Sequence, residues 1–196
     1  MKKGIVILVV IAVIAIALFS WVKGSYNGFV QQDEAVKTAW SQVENVYQRR
    51  ADLIPNLVAT VKGYAAHEKE TLEGVVAARA KATQVTVDPE NMTAEKLKEY
   101  QAAQGELGSA LGKLLAITEN YPELKANENF LELQAQLEGT ENRIATERNK
   151  FNEVAKEYNV SIRKFPANIL SGMFGFEQRS YFEAAAGAER APEVKF

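Results

Sequence analysis

The chain has 196 residues, with 23 lysines and arginines against 25 aspartates and glutamates, one histidine, no cysteine and a formal charge of −2. That balance supplies no basic field for nucleic acid, and the missing cysteines exclude disulfides, thiolate catalysis and cysteine-ligated zinc or iron–sulfur sites. A lone His67 removes most histidine-based metal and general-base constellations before they are sought.

The first element in chain order decides the environment. Gly4 to Val22 carries no charged side chain, and at about 1.5 Å rise per residue the run makes roughly 28 Å of apolar helix, one bilayer core. Lys2, Lys3 and Lys23 bracket it, and Trp21 and Tyr26 stand where interfacial aromatics belong. A cleaved signal peptide is the rival reading, but Leu18-Phe19-Ser20-Trp21 puts Leu, Phe and Trp where a cut site needs small residues. Residues 1–23 are therefore expected to be an uncleaved transmembrane anchor, touching the lipid bilayer through residues 4–22. Weighing Lys2, Lys3 and the terminal amine against Lys23, Asp33 and Glu34, the positive-inside rule leaves the bulk of this single-pass chain outside the cytoplasm.

Past the anchor, residues 24–186 suit one domain and residues 187–196 a flexible C-terminal tail. Val36, Trp40, Val43, Tyr47, Ile54, Leu57, Val61 and Tyr64 recur at spacings of three and four, with Arg50 in the one gap. That is a helix with a narrow apolar seam. Pro55 should kink or end it, yet the phase is the same on both sides, which predicts a kinked but continuous helix to about Thr83. An unbroken helix would climb roughly 90 Å from the bilayer and leave the C-terminal segment far from it, whereas a reversal at Pro55 would bring that segment back.

QVTVDPENMTAEK reads as a turn, and Leu97, Tyr100, Gln104, Leu107, Leu111, Leu114, Thr118 and Tyr121 set a second helix that closes at Pro122. Gly105, Gly108 and Gly112 along it are expected to permit close helix contact, since each costs about 1 kcal/mol in a helix interior. A third helix starts near Asn127, with Phe130, Leu133, Leu137, Ile144, Phe151, Tyr158, Ile162 and Phe165 inward, and Phe165-Pro166 ends it. No strand-like run exceeds a few residues. The class is all-α: a single transmembrane helix continuing into an up-and-down antiparallel bundle of long, coiled-coil-like helices.

Polar residues crowd the seams. Arg50, Asp52, Asn56, Glu68 and Arg79 are answered by Glu141, Asn142, Arg143, Arg148 and Asn152. An unpaired charge there would cost several kcal/mol, so these residues are expected to pair across helices as a structural network that fixes register. A ligand-binding or catalytic carboxylate cluster is the alternative. His67-Glu68 fails as a zinc-protease motif because Thr71 occupies the second histidine position, and one histidine cannot supply the two Glu-x-x-His pairs of a di-iron bundle. No phosphate loop, nucleophile elbow or dinucleotide fingerprint occurs, so no catalytic, metal or cofactor residue is assigned. Phe165, Ile169, Met173, Phe174, Phe176, Tyr181 and Phe182 form an aromatic, glycine-broken stretch that reads first as a bundle lid and, as a functional candidate, as an interaction surface, with a membrane-surface segment as the third role.

Tyr26-Asn27, Trp40, RRADLIPNLVATVKGYAAHE from Arg49, Ala78-Arg79-Ala80 and YPELKANENFLELQAQLEGTENRIATERNKFNEVAKEYN from Tyr121 together resemble the LemA family of bacterial membrane proteins. Phe165-Pro166, Phe176 and Tyr181-Phe182-Glu183 extend the resemblance over nearly the whole chain beyond the anchor. It implies a single-span anchor bearing a helical bundle, without an established activity or cofactor, and a related MamQ branch associated with magnetosome membrane formation. The expected function is a non-enzymatic membrane-anchored scaffold or adaptor that forms homo-oligomers or binds envelope membrane proteins, with membrane shaping as a variant. The rival is an unrecognised hydrolase or ligand sensor using the Glu/Arg/Asn seam.

Overall fold

The computed structural model describes residues 2–183, and the segment 187–196 read above as a tail lies outside them. The described residues form six helices: α1 Lys2–Tyr64, α2 Lys69–Gln84, α3 Ala94–Thr118, α4 Pro122–Lys125, α5 Glu128–Arg163 and α6 Ala167–Phe174. Among them there is no strand. The class is all-α, and α1 contains the apolar run that is long enough to cross a bilayer.

α1 is a single helix from that run into the bundle, with Pro55 inside it. The expected continuation to Thr83 is corrected. The chain reverses at Ala65–Glu68, where Ala65 N–H still donates to Val61 O and Glu68 N–H closes back on Ala65 O at 3.1 Å. A straight continuation would leave Leu72, Val75 and Ala82 in water. The hairpin instead buries all three in the cluster that holds Leu57 and Val61.

The loop after α2 carries Val87 and Met92 into a second cluster with Val36, Trp40, Val43 and Tyr47. Thr93 then caps α3 by accepting from Lys96 N–H, and Asn127 caps α5 by accepting from Phe130 N–H at 3.0 Å. α3 climbs back beside α2 to the distal end, α4 starts with Pro122 in its first turn, and α5 descends the full length of the bundle. α1 beyond Lys23 rises about 63 Å and α5 falls about 54 Å, so the two match.

That match overturns the choice posed by Pro55. The helix runs unbroken through the proline, and the C-terminal segment nevertheless returns to the start of the bundle, because the reversal comes at Ala65 and α5 spans the whole height. Phe174 and Phe176 meet Tyr26 at ring separations of 5.0 and 5.7 Å. Gly175, at φ 74°, ends α6 in the left-handed conformation, with Phe176 N–H donating to Ser171 O at 2.9 Å. Two inward assignments are also corrected: Phe165 is 83% exposed, and Tyr64 faces out, its hydroxyl accepting from Asn127 Nδ2 at 3.0 Å.

Candidate functional site

Arg50 lies between the two apolar clusters and is 3% exposed. It fills the gap in the α1 seam and bonds two other helices directly, and a third through Gln104. Nη1 donates to Glu141 Oε1 of α5 at 2.8 Å, while Nη2 donates to Gln104 of α3 at both its side-chain oxygen, 2.6 Å, and its carbonyl, 3.1 Å. Gln104 Nε2 passes the link on to Ala82 O of α2. The guanidinium also covers the Tyr47 ring at 5.1 Å. Gly108 lies beside this layer, where an added Cβ would stand 3.9 Å from Arg50 Nη1; Gly105 and Gly112 face solvent with nothing within 4 Å, so the expected glycine line of close helix contact is not formed.

Pro55 explains a second polar contact. It has no N–H to give to Ala51 O, the acceptor four residues back. Arg79 Nε of α2 donates to that carbonyl at 2.7 Å. The helix stays continuous because α2 satisfies the group the proline orphans. Farther out, Glu68 accepts from the Tyr121 hydroxyl at 3.0 Å, and this carboxylate raises the phenol pKa above its usual value.

The rest of the expected network is placed differently. Asp52 accepts only from Gln48 on its own helix, and Asn56, Asn142 and Arg143 are exposed and make no side-chain bond to another helix among the described residues. They lie one or two positions off the seam, where 100° per residue is enough to turn a side chain to water.

Arg148 and Asn152 bind something not foreseen, the main chain of an extended segment. Residues 176–183 run back up beside α5, and Asn152 grips both backbone polar groups of Phe182: Phe182 N–H donates to Oδ1 at 2.8 Å and Nδ2 donates to Phe182 O at 3.0 Å. Asn159 does the same at Arg179, accepting its N–H and donating to its carbonyl, both at 2.8 Å, and donates also to the Tyr181 hydroxyl. Seven helical residues and three extended ones both span about 10 Å, so the two grips share one register. Arg148 and Gln101 donate to Glu183 O, from α5 and α3.

Phe182 is thereby pressed into the core between Trp40 and Phe151, 6% exposed, and so is not available as surface. Arg179 reaches Asp33 of α1 at 2.6 Å and Glu90 O in the loop at 3.0 Å. Beside it Lys37 donates to Glu34 at 3.0 Å, and that bond above all, with Asp33 at 3.3 Å, holds its ammonium pKa far above the ordinary lysine value. Asn159 and Arg179 were not singled out from sequence, Gln104 was read only as a position of the second helix's seam, and Asp33 only as a charge beyond the anchor. The available signal was the Asn152–Asn159 spacing of seven, which keeps two amides on one helix face.

The other residues read as an interaction surface gather at the base of the bundle. Phe176 is half-buried against Phe29 and Tyr26, and Tyr181 is partly exposed. Phe165, Ile169, Met173 and Phe174 remain exposed around α6, next to the end of the apolar run.

The family model described as "LemA family" matches residues 39–196, through the Arg50 layer, the Pro55–Arg79 contact and α6. The chain belongs to the LemA family. Among its relatives, magnetosome protein MamQ 2 of Paramagnetospirillum magneticum is 30% identical over 194 residues, covering 90% of this chain and 71% of that protein. Magnetosome protein MamQ of Magnetospirillum gryphiswaldense is 32% identical over 180 residues, 83% of this chain and 66% of that protein. Protein LemA of Metamycoplasma hominis is 24% identical over 184 residues, 94% and 80% of the two chains. None of these names is that of an enzyme. The LemA family match and the apolar start of α1 describe a membrane-anchored helical protein.

Proposed function

We propose that this LemA-family chain is a non-enzymatic scaffold held in the bacterial inner membrane by a single pass, with its bundle on the outer side, where it associates with itself or with other envelope membrane proteins. One observation carries the reading: the membrane-length apolar run and the central strut of the bundle are one uninterrupted helix, so the folded domain is held upright at the bilayer rather than tethered loosely to it. The relatives named for the magnetosome support a role in organising or shaping a membrane. The competing hydrolase or ligand-sensor reading would use Glu68 and Glu141, but both carboxylates already bind Tyr121 and Arg50. Their replacement by glutamine is expected to lower thermal stability rather than remove a turnover.

Lysine-directed crosslinking in intact membranes, read by mass spectrometry, should yield links between two copies or to a fixed set of envelope proteins. A chain that is strictly monomeric in detergent and yields no crosslinked partner in cells would sink the proposal. Removing residues 1–23 should abolish any effect on membrane morphology, and a compartment reporter fused at Phe196 checks the orientation.

A further inference from the structure

We propose that α6 is a second membrane attachment, an interfacial foot whose Ile169, Met173 and Phe174, with Phe165 just ahead of it, lie in the headgroup layer of the same bilayer that α1 crosses. The inference rests on the anchoring just described and adds a contact that anchoring alone does not require.

Height is the first consideration. The uncharged run ends at Val22, and Val22 itself packs against the bundle core. Tyr26, the residue Phe174 abuts at 5.0 Å, is about 6 Å farther along the helix axis, and Phe29, which Phe176 abuts at 5.3 Å, about 10 Å. The headgroup layer occupies roughly 5–7 Å on each side of the hydrocarbon. With the apolar run filling the hydrocarbon, α6 falls at headgroup level without any change in fold.

Composition is the second. Leu170 and Ser171 face the core, the serine hydroxyl donating to Ile162 O at 2.7 Å. Ile169 and Met173, the latter at 73% exposure, turn away from that core-facing side, Phe174 continues it one turn past Leu170 and stays half exposed where it abuts Tyr26, and the preceding Phe165 is 83% exposed, with Asn168 as the exposed polar side chain of the helix itself. Water is the wrong solvent for these exposed apolar side chains; the acyl–headgroup boundary, into which interfacial helices sink by about 5–10 Å, is the right one. Exposed Lys23, Arg163 and Lys164 flank it, against exposed Glu177, which suits anionic headgroups. The bilayer is chosen over a second copy of the chain because the patch is continuous with the membrane-crossing stretch of α1, so lipid already borders it.

The cysteine-free sequence makes the test direct. The full chain is reconstituted into vesicles of phosphatidylcholine and phosphatidylglycerol, with single variants Ile14→Cys, Leu131→Cys, Ile169→Cys and Met173→Cys carrying a nitroxide; relaxation by oxygen against a water-soluble nickel complex reads depth. Ile14 should report the bilayer interior and Leu131, exposed on α5 near the distal end, water. Labels at Ile169 and Met173 should favour oxygen several-fold over Leu131. A deep Ile14 label with aqueous labels at Ile169 and Met173 overturns the foot and leaves the anchor standing. An aqueous Ile14 label overturns the anchoring itself. Labels at Met173 shielded from both reagents and broadened by a second nitroxide would assign the patch to another copy, and the foot would again be wrong.

Discussion

The two halves of the bundle are built from different chemistry. The distal half, around Leu57, Leu107, Leu111 and Leu114, is mostly aliphatic and closed by neighbouring hairpins. The membrane-proximal half, around Trp40, Tyr47, Tyr100, Phe151 and Phe182, is aromatic, and closing it takes residues as far apart as Asp33 and Arg179, 146 positions along the chain. Arg50 and its partners form the boundary. The distal half can assemble from local contacts, while the proximal half must wait for the end of the chain. The end of the molecule nearest the bilayer is therefore closed by the segment that follows α6.

The largest effects should come from the cores. Trp40→Ala is expected to cost about 3–5 kcal/mol and Leu57→Ala about 2–5. Only the first should also release residues 179–183, read as lost amide protection in hydrogen exchange; equal protection in both variants would dissolve the distinction between the halves. Arg50→Met comes next, at roughly 2–3 kcal/mol, because Gln104 loses its charged donor inside the bundle while the partly solvated Glu141 rehydrates. Denaturation curves followed by Trp40 emission in a Trp21→Phe background, and by a probe near Leu111, should then cease to coincide.

Arg79→Met should cost about 1–3 kcal/mol by orphaning Ala51 O. Pro55→Ala restores the missing N–H, so the double variant should recover most of that loss, and simple additivity would refute the pairing. The last effect is absent at neutral pH. Burial, first among the causes, raises the phenol pKa of Tyr47 and, more strongly, of Tyr100 above the usual value. The folded chain then keeps protons that the unfolded chain releases, so this part of the stability is intact below about pH 10 and is lost as pH rises further. Melting temperature against pH should fall in alkali, and less steeply in Tyr100→Phe.

Much of this was legible in order along the chain. The spacing of apolar residues gave the α1, α3 and α5 faces nearly residue by residue, because one helix period determines which side chains meet the core. The reversal at Ala65 was missed because no strong breaker marks it; it follows from the burial that α2 gains by folding back. Arg50 was legible as a charge in a seam, but Asp52, Asn56, Asn142 and Arg143 were not separable from it, since one residue of phase decides between core and water. Asn152 showed as polar without showing its partner, which is a main chain distant in sequence and carries no side-chain signal.

One consequence of the uninterrupted α1 is mechanical. With no joint between lipid and bundle, a membrane too thin for the apolar run is met by local thickening of the bilayer or by leaning the whole rod. A lean of about 20°, common for single helices, would sweep the tip of a strut some 63 Å tall sideways by about 20 Å. Bilayer thickness at the base is thus converted into lateral reach at the far end.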